Sequence, residues 1–177
     1  MRLFYALPFA QKTRHDMEAL QSQLLPQLER GRPTQRENLH LTLAFLGDVA
    51  PSHVPALRGI LKELQQTPAF SLCFDRIGTF GGKQPVLYLA PQSSPIFFAL
   101  EQKLRTALER QGFFLKSRPF IPHVTLIRNA RTYANLSFSA PSFPAIHAEI
   151  TSVSLMLSDR QEGRLVYTPL ASIFFSD

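Results

Sequence analysis

The chain has 177 residues, enough for one domain or two small lobes, and its 45% hydrophobic and 18% charged residues are the material of a sizeable core rather than a disordered tail. The net charge is +6, and 14 of the 19 cations are Arg, whose rigid fork of donors suits phosphate, so an anionic partner such as a nucleotide or RNA is expected. No apolar run reaches the roughly 18 residues of a membrane span, and the single cysteine, Cys73, excludes an internal disulfide and a Cys-based zinc site, which makes a reducing, cytoplasmic setting the default.

Residues 2–7 (RLFYAL) read as a buried first strand ended by Pro8; the stretch is too short in apolar length for a signal peptide. Met17, Leu20, Leu24 and Leu28 recur at helical spacing and predict a helix over 10–29, stopped by Gly31, Arg32 and Pro33. Residues 39–46 (LHLTLAFL) suit a central strand ended by Gly47 and Asp48. Pro51 and Ser52 open a second helix with Val54, Leu57, Leu61 and Leu64 on one face. Residues 69–77 and 85–90 flank a Gly-Gly turn and predict a hairpin, with Cys73 in its core. A third helix over 95–110 shows Ile96, Leu100, Leu104 and Leu108 and stops at Gly112. Residues 123–127 predict a strand and 129–145 a loop. Strands at 148–157 and 164–175 are joined by a polar turn at Asp159–Gly163. Helices and strands mix without strict βαβ order, which is the α+β class. Each half holds a helix, a stop and a short strand beginning with His. This predicts one domain of two similar, intertwined lobes over 1–177.

Two tetrapeptides carry the chemistry: His40-Leu41-Thr42-Leu43 and His123-Val124-Thr125-Leu126. In a strand, residues i and i+2 share a face. His40 and Thr42 therefore point one way and Leu41 and Leu43 the other; the same holds for His123 and Thr125 against Val124 and Leu126. Either motif alone is unremarkable; the pair is the signal. Two imidazoles, one charged and one neutral, supply an acid and a base near neutral pH. Threonine hydroxyls donate to non-bridging phosphate oxygens without adding charge. In-line attack at phosphorus needs this set, and it demands no metal or other cofactor. Which histidine is the acid is left open by the residues themselves.

The motifs and their flanks resemble the two-histidine phosphoesterase superfamily, and within it the bacterial RNA 2′,3′-cyclic phosphodiesterases also called 2′-5′ RNA ligases. The resemblance lies in Asn38–Gly47, in Arg118–Arg128, in the opening Arg2-Leu3-Phe4 and in the closing Tyr167-Thr168-Pro169-Leu170. It spans essentially the full length. One departure is Ile121, where a His is common. The resemblance implies a bilobal, pseudo-symmetric α+β fold with antiparallel sheets lining a central cleft and helices outside. It implies hydrolysis of RNA 2′,3′-cyclic phosphate ends to 2′-phosphates, with reversible 2′-5′ ligation, and no cofactor. By this similarity His40 is the general acid and His123 the general base, while Thr42, Thr125 and Arg128 hold the phosphate, with Arg118 a further candidate. The partners implied are RNA with 2′,3′-cyclic phosphate ends, tRNA fragments among the candidates, or cyclic nucleotides; no membrane is implied. A monomer is expected from the size.

Two rival readings stand beside this one. The first is a cyclic phosphodiesterase for another small nucleotide; the second is a catalytically silent module that binds RNA ends. Arg36 is a weaker candidate for the same groove, and Phe4, Tyr5 and Phe9 are candidates to stack a base, with core packing expected for at least two of them. Gly78–Gln84 faintly resembles a phosphate-binding loop, but its spacing is wrong and a hairpin turn explains it. His15, His53 and His147 have no motif context and are expected to be exposed. Neither motif contains a carboxylate and Thr is a poor ligand for transition metals, so a metal site is not expected.

Overall fold

In the computed structural model the first apolar segment forms strand β1 (Arg2–Pro8), in which Leu3, Phe4, Tyr5, Ala6 and Leu7 are all buried. The continuous apolar run follows from position: β1 is an inner strand of a four-stranded sheet, covered on both faces. The structure describes residues 1–115, 120–133 and 142–176.

Helix α1 (Gln11–Leu24) buries Met17, Leu20 and Leu24 as the spacing requires, but it ends five residues before the expected boundary. Pro26 is the reason: it lacks an N–H donor and its ring clashes with the preceding turn. A single 3-10 turn (Leu25–Gln27) leads into strand β2 (Leu28–Pro33), which the sequence reading missed. Leu28 is buried as expected, on a strand rather than a helix. Gly31 and Pro33 are therefore not helix stops. β2 is an edge strand, where Pro is tolerated, and at Gly31 a Cβ would lie 2.7 Å from the Ile127 Cγ2 atom.

Strand β3 (His40–Asp48) carries the first motif and includes Gly47 and Asp48. Helix α2 (Val54–Leu64), led in by a 3-10 turn from Pro51, buries Leu57, Ile60, Leu61 and Leu64. Strands β4 (Phe70–Phe80) and β5 (Val86–Pro91) form the expected hairpin. Cys73 is only half-buried, because Leu72 and Phe74 take the core face of β4 and alternation sends Cys73 to the other. Helix α3 (Pro95–Arg110) has the expected bounds, with Ser94 capping the Phe97 N–H. Its buried face runs through Phe97, Leu100, Leu104 and Leu108, whereas Ile96 is exposed.

Strand β6 (Val124–Thr132) reaches well into the stretch expected to be a loop, and residues 134–141 of that stretch lie outside the described ones. The single strand expected over 148–157 is two: β7 (Ile146–Ile150) and β8 (Ser152–Gln161), separated by Thr151 alone. β7 pairs with β4 while β8 pairs with β1, so the chain passes from one sheet to the other within one residue. Strand β9 (Arg164–Phe174) pairs with β8 across a two-residue turn, Glu162–Gly163, with φ of 49° and 78°. Positive φ at both central positions is the tight hairpin turn whose twist matches the flanking strands.

Two antiparallel sheets result, ordered β3-β1-β8-β9 and β2-β6-β5-β4-β7. Each draws strands from both halves of the chain. The helices cross over as well: α1 packs on β6 and β7, whereas α2 and α3 pack on each other and on the first sheet. The two motif strands, β3 and β6, belong to different sheets and pack against each other. No described helix is long and apolar enough to cross a membrane.

Candidate active site

The alternation expected of the two motifs is present in both. Leu41, Val124 and Leu126 are fully buried and Leu43 nearly so, whereas His40, Thr42, His123 and Thr125 line one cavity of about 1030 Å³ between the sheets. His123 sits one residue ahead of β6, not inside a strand.

Each imidazole is held in the same way. His40 Nδ1 donates to the Asn38 carbonyl at 2.7 Å, and His123 Nδ1 donates to the Ile121 carbonyl at 2.7 Å. A carbonyl only accepts, so both Nδ1 atoms carry hydrogen and Nε2 is the nitrogen left for chemistry. The Thr42 hydroxyl lies 3.0 Å from His40 Nε2. Asn38 is itself anchored, its Nδ2 donating to the Leu165 carbonyl at 2.8 Å, so β9 helps to aim His40. Ile121 precedes Pro122, which restricts it to extended backbone and presets its carbonyl. Its side chain is exposed, so the departure at this position leaves the hydrogen bond intact.

Aromatic rings bracket both histidines, a feature the sequence reading did not find. His40 lies between Phe4 and Tyr167 at centroid distances of 5.0 and 5.1 Å. His123 lies against Phe80 and Tyr88 at 4.9 and 5.5 Å. Phe80 and Tyr88 stack on each other over Gly78, the register partner of Tyr88. A Cβ at Gly78 would overlap the Tyr88 ring. Gly78→Ala is therefore expected to push Tyr88 aside, destabilise the fold by about 1–3 kcal/mol and lower turnover through a misplaced His123. Urea melts beside activity read both effects, and wild-type values for each would contradict this account.

Burial lowers the His40 pKa to about 4, with smaller contributions from Arg128 and His123, opposed by the bond to Asn38. His123 is likewise lowered, first by burial and then by Arg128, opposed by the bond to Ile121. Both rings are thus neutral at pH 7 in the unliganded protein. Stability follows: the unfolded chain protonates His40 near 6.5 while the folded chain resists to about 4. Below 6.5 the unfolded state binds more protons, so stability falls as pH drops through this window. His40→Gln is expected to shrink the loss between pH 7 and pH 4.5 by about 2 kcal/mol, measured as the difference between urea melts at the two values. Equal losses in variant and wild type would contradict the shift.

The remaining candidates divide. Arg128 lines the cavity and its charge bears on both imidazoles. Arg118 lies outside the described residues. Arg36 does not join the groove: it pairs with Glu18 at 2.9 Å and contacts His15 at 3.2 Å. Tyr5 and Phe9 are core, with Tyr5 OH donating to the Leu57 carbonyl and Phe9 packing edge-on against Phe74. Phe4 is buried against His40 in the cavity wall. The ring exposed in that wall is Phe45, half-exposed beneath the Arg2 guanidinium at 5.0 Å. His15, His53 and His147 are all exposed as expected, His53 with its ring edge-on to Phe113. Among the described residues no group of three or more His, Cys, Asp or Glu is placed to hold a metal ion.

Two like imidazoles facing one cavity, with hydroxyls two residues on and a guanidinium beside them, are the set that a phosphoesterase using a pair of histidines requires. The chain belongs to the 2′-5′ RNA ligase superfamily, whose family model matches residues 8–162. It is 35% identical over 170 residues to the RNA 2′,3′-cyclic phosphodiesterase of Escherichia coli K12, covering 96% of this chain and 93% of that protein. The crystal structure of E. coli LigT complexed with 3′-AMP superimposes with a TM-score of 0.86 at 33% identity, over 99% of this chain and 98% of that one. A crystal structure from Thermus thermophilus matches with a TM-score of 0.82 at 25% identity, over 99% and 98%.

Proposed function

We propose that the chain is an RNA 2′,3′-cyclic phosphodiesterase, a hydrolase that opens cyclic phosphate ends to 2′-phosphates by acid–base catalysis between His40 and His123. The observation that supports it most is the matched pair of tautomers: both Nδ1 atoms are committed to backbone carbonyls, which leaves both Nε2 atoms to one cavity. His123 Nε2 takes a proton from water as the water oxygen bonds to phosphorus. The P–O3′ bond breaks, and O3′ receives the proton from His40 Nε2. The products are a 2′-phosphomonoester and a free 3′-hydroxyl, and solvent exchange resets the two rings. Thr42, Thr125 and Arg128 donate to the non-bridging oxygens, where charge is held through the transition state. The assignment of acid and base follows the family resemblance.

Protonating His40 is the costly part, since burial disfavours its cation. A bound phosphate anion beside the ring offsets that cost, because an opposite charge within a few ångström favours the charged form. The acid is thus charged by its own substrate. The same geometry run with a ribose 5′-hydroxyl in place of water joins two RNA ends through a 2′-5′ linkage. Arg118 is proposed as a further phosphate contact. The physiological partners proposed are RNA ends or cyclic nucleotides, met by a monomer in the cytoplasm.

The test is incubation of an oligoribonucleotide ending in a 2′,3′-cyclic phosphate in EDTA, with the product phosphate located. A 2′-phosphate formed by wild type supports the reading. No product, with turnover of another cyclic phosphate, would transfer the activity to that substrate; salt-dependent RNA binding without any turnover would make the chain a binding module.

A further inference from the structure

The catalytic cavity opens into a second one. A cavity of about 360 Å³ adjoins it, and Arg32, Thr34, Asn38, Arg128, Leu165 and Tyr167 wall both. Arg164 and Gln35 line only the smaller. Among the described residues the lining of this smaller cavity contains no Asp or Glu and three arginines. Among the described residues, none of Arg32, Arg128 and Arg164 is within ion-pair distance of a carboxylate. Arg32 and Arg128 stand opposite each other in the β2–β6 register, where like charges repel. In the shared wall the Thr34 hydroxyl is buried without a hydrogen-bond partner among the described residues. An anion in this space offsets the repulsion and offers the hydroxyl an acceptor.

The geometry of the substrate says which anion. In an RNA end closed as a 2′,3′-cyclic phosphate, both O2′ and O3′ of the last ribose are taken. The chain leaves that nucleotide only through its 5′ oxygen. The next negative charge along it is the internucleotide phosphate on the 5′ side. We propose that the smaller cavity is the subsite for this internucleotide phosphate, with Arg164 as its principal donor, so that the chain selects oligonucleotides over mononucleotides. The inference rests on the phosphodiesterase reading above. Arg164 opens β9 directly after the tight turn at Glu162–Gly163, so its backbone is fixed while its side chain reaches the cavity.

The experiment compares kcat/KM for 2′,3′-cyclic AMP with that for the dinucleotide ApA carrying a 2′,3′-cyclic phosphate. A third substrate is the same dinucleotide with an uncharged methylphosphonate between the nucleosides. Wild type is expected to favour the charged dinucleotide over the mononucleotide by about tenfold or more, as one charge-assisted contact would give. Arg164→Gln and the methylphosphonate are each expected to remove most of that ratio, mainly through KM, and combining them to add little. A ratio near one in wild type, a ratio untouched by Arg164→Gln, or equal use of the methylphosphonate would overturn the subsite. If wild type hydrolyses neither substrate, the phosphodiesterase reading fails instead. Calorimetric binding of 2′-AMP against ApA 2′-phosphate, to wild type and Arg164→Gln, then reads the subsite by the same ratios.

Discussion

His40→Ala and His123→Ala are each expected to lower kcat on a cyclic phosphate end by a factor of about 10² to 10⁴, the usual contribution of a positioned general acid or base. KM should move far less, since Thr42, Thr125 and Arg128 still face the cavity. The double variant is expected to lose little more than the worse single one, because the two rings move one proton each in the same step. A diester whose leaving group is stable as an anion separates the roles. With a nitrophenyl leaving group the acid is dispensable, so His40→Ala should recover most activity relative to wild type while His123→Ala stays inactive. The reverse pattern would exchange acid and base; full activity of either variant on the RNA end would refute the mechanism. The far-ultraviolet circular dichroism of each variant should match wild type, as both rings sit at the cavity wall with the core side chains behind them unchanged.

The second large effect is on pH dependence. The productive free enzyme carries one proton on the pair, so kcat/KM should trace a bell whose limbs belong to the pair as a whole. Burial, with Arg128 beside it, holds His40 at about 4 and His123 below its ordinary value. The kcat/KM maximum is therefore expected on the acid side of pH 6.5. In the complex the phosphate anion favours imidazolium, so the kcat bell should lie at higher pH than the kcat/KM bell. Arg128→Met removes a cation that opposes protonation of both rings, and the kcat/KM bell should move up toward 6.5. The same change should raise KM by about tenfold or more through the lost charge-assisted contact. Paired kcat and kcat/KM profiles of the two proteins decide it; a wild-type kcat/KM maximum above pH 7, or an unmoved bell in the variant, would be inconsistent with the site described.

What can be read along the chain is what depends on near neighbours. The faces of both motif strands follow from alternation, and Leu41, Leu43, Val124 and Leu126 lie in the core for that reason alone. The third helix keeps its bounds because Ser94, Pro95 and the turn at Gly112 are local signals. The first helix ends early on a signal present in the sequence, since Pro26 stops it where the apolar periodicity alone would continue. The split at Thr151 left no such mark: a strand that changes sheets keeps its alternation and shows only in which partners accept its hydrogen bonds. Cys73 shows the converse: it is apolar in an apolar strand, which reads as core, but it stands in odd register with Leu72 and Phe74.

The order of residues is enough to set the chemistry available: two imidazoles, each with a hydroxyl on the same strand face and two core residues behind, and a guanidinium five residues after the second. Short-range geometry settles these, because a pleated strand puts residues i and i+2 on one side whatever it packs against. Packing between distant segments was needed to bring β3 and β6 together from different sheets. It also encloses one imidazole with Phe4 and Tyr167 and the other with Phe80 and Tyr88, and it turns Arg36 to Glu18 while Arg128 faces the cavity. The lowered pKa values belong to this level too. Burial and the approach of a charge are sums over residues distant in sequence, and only the packed chain defines them.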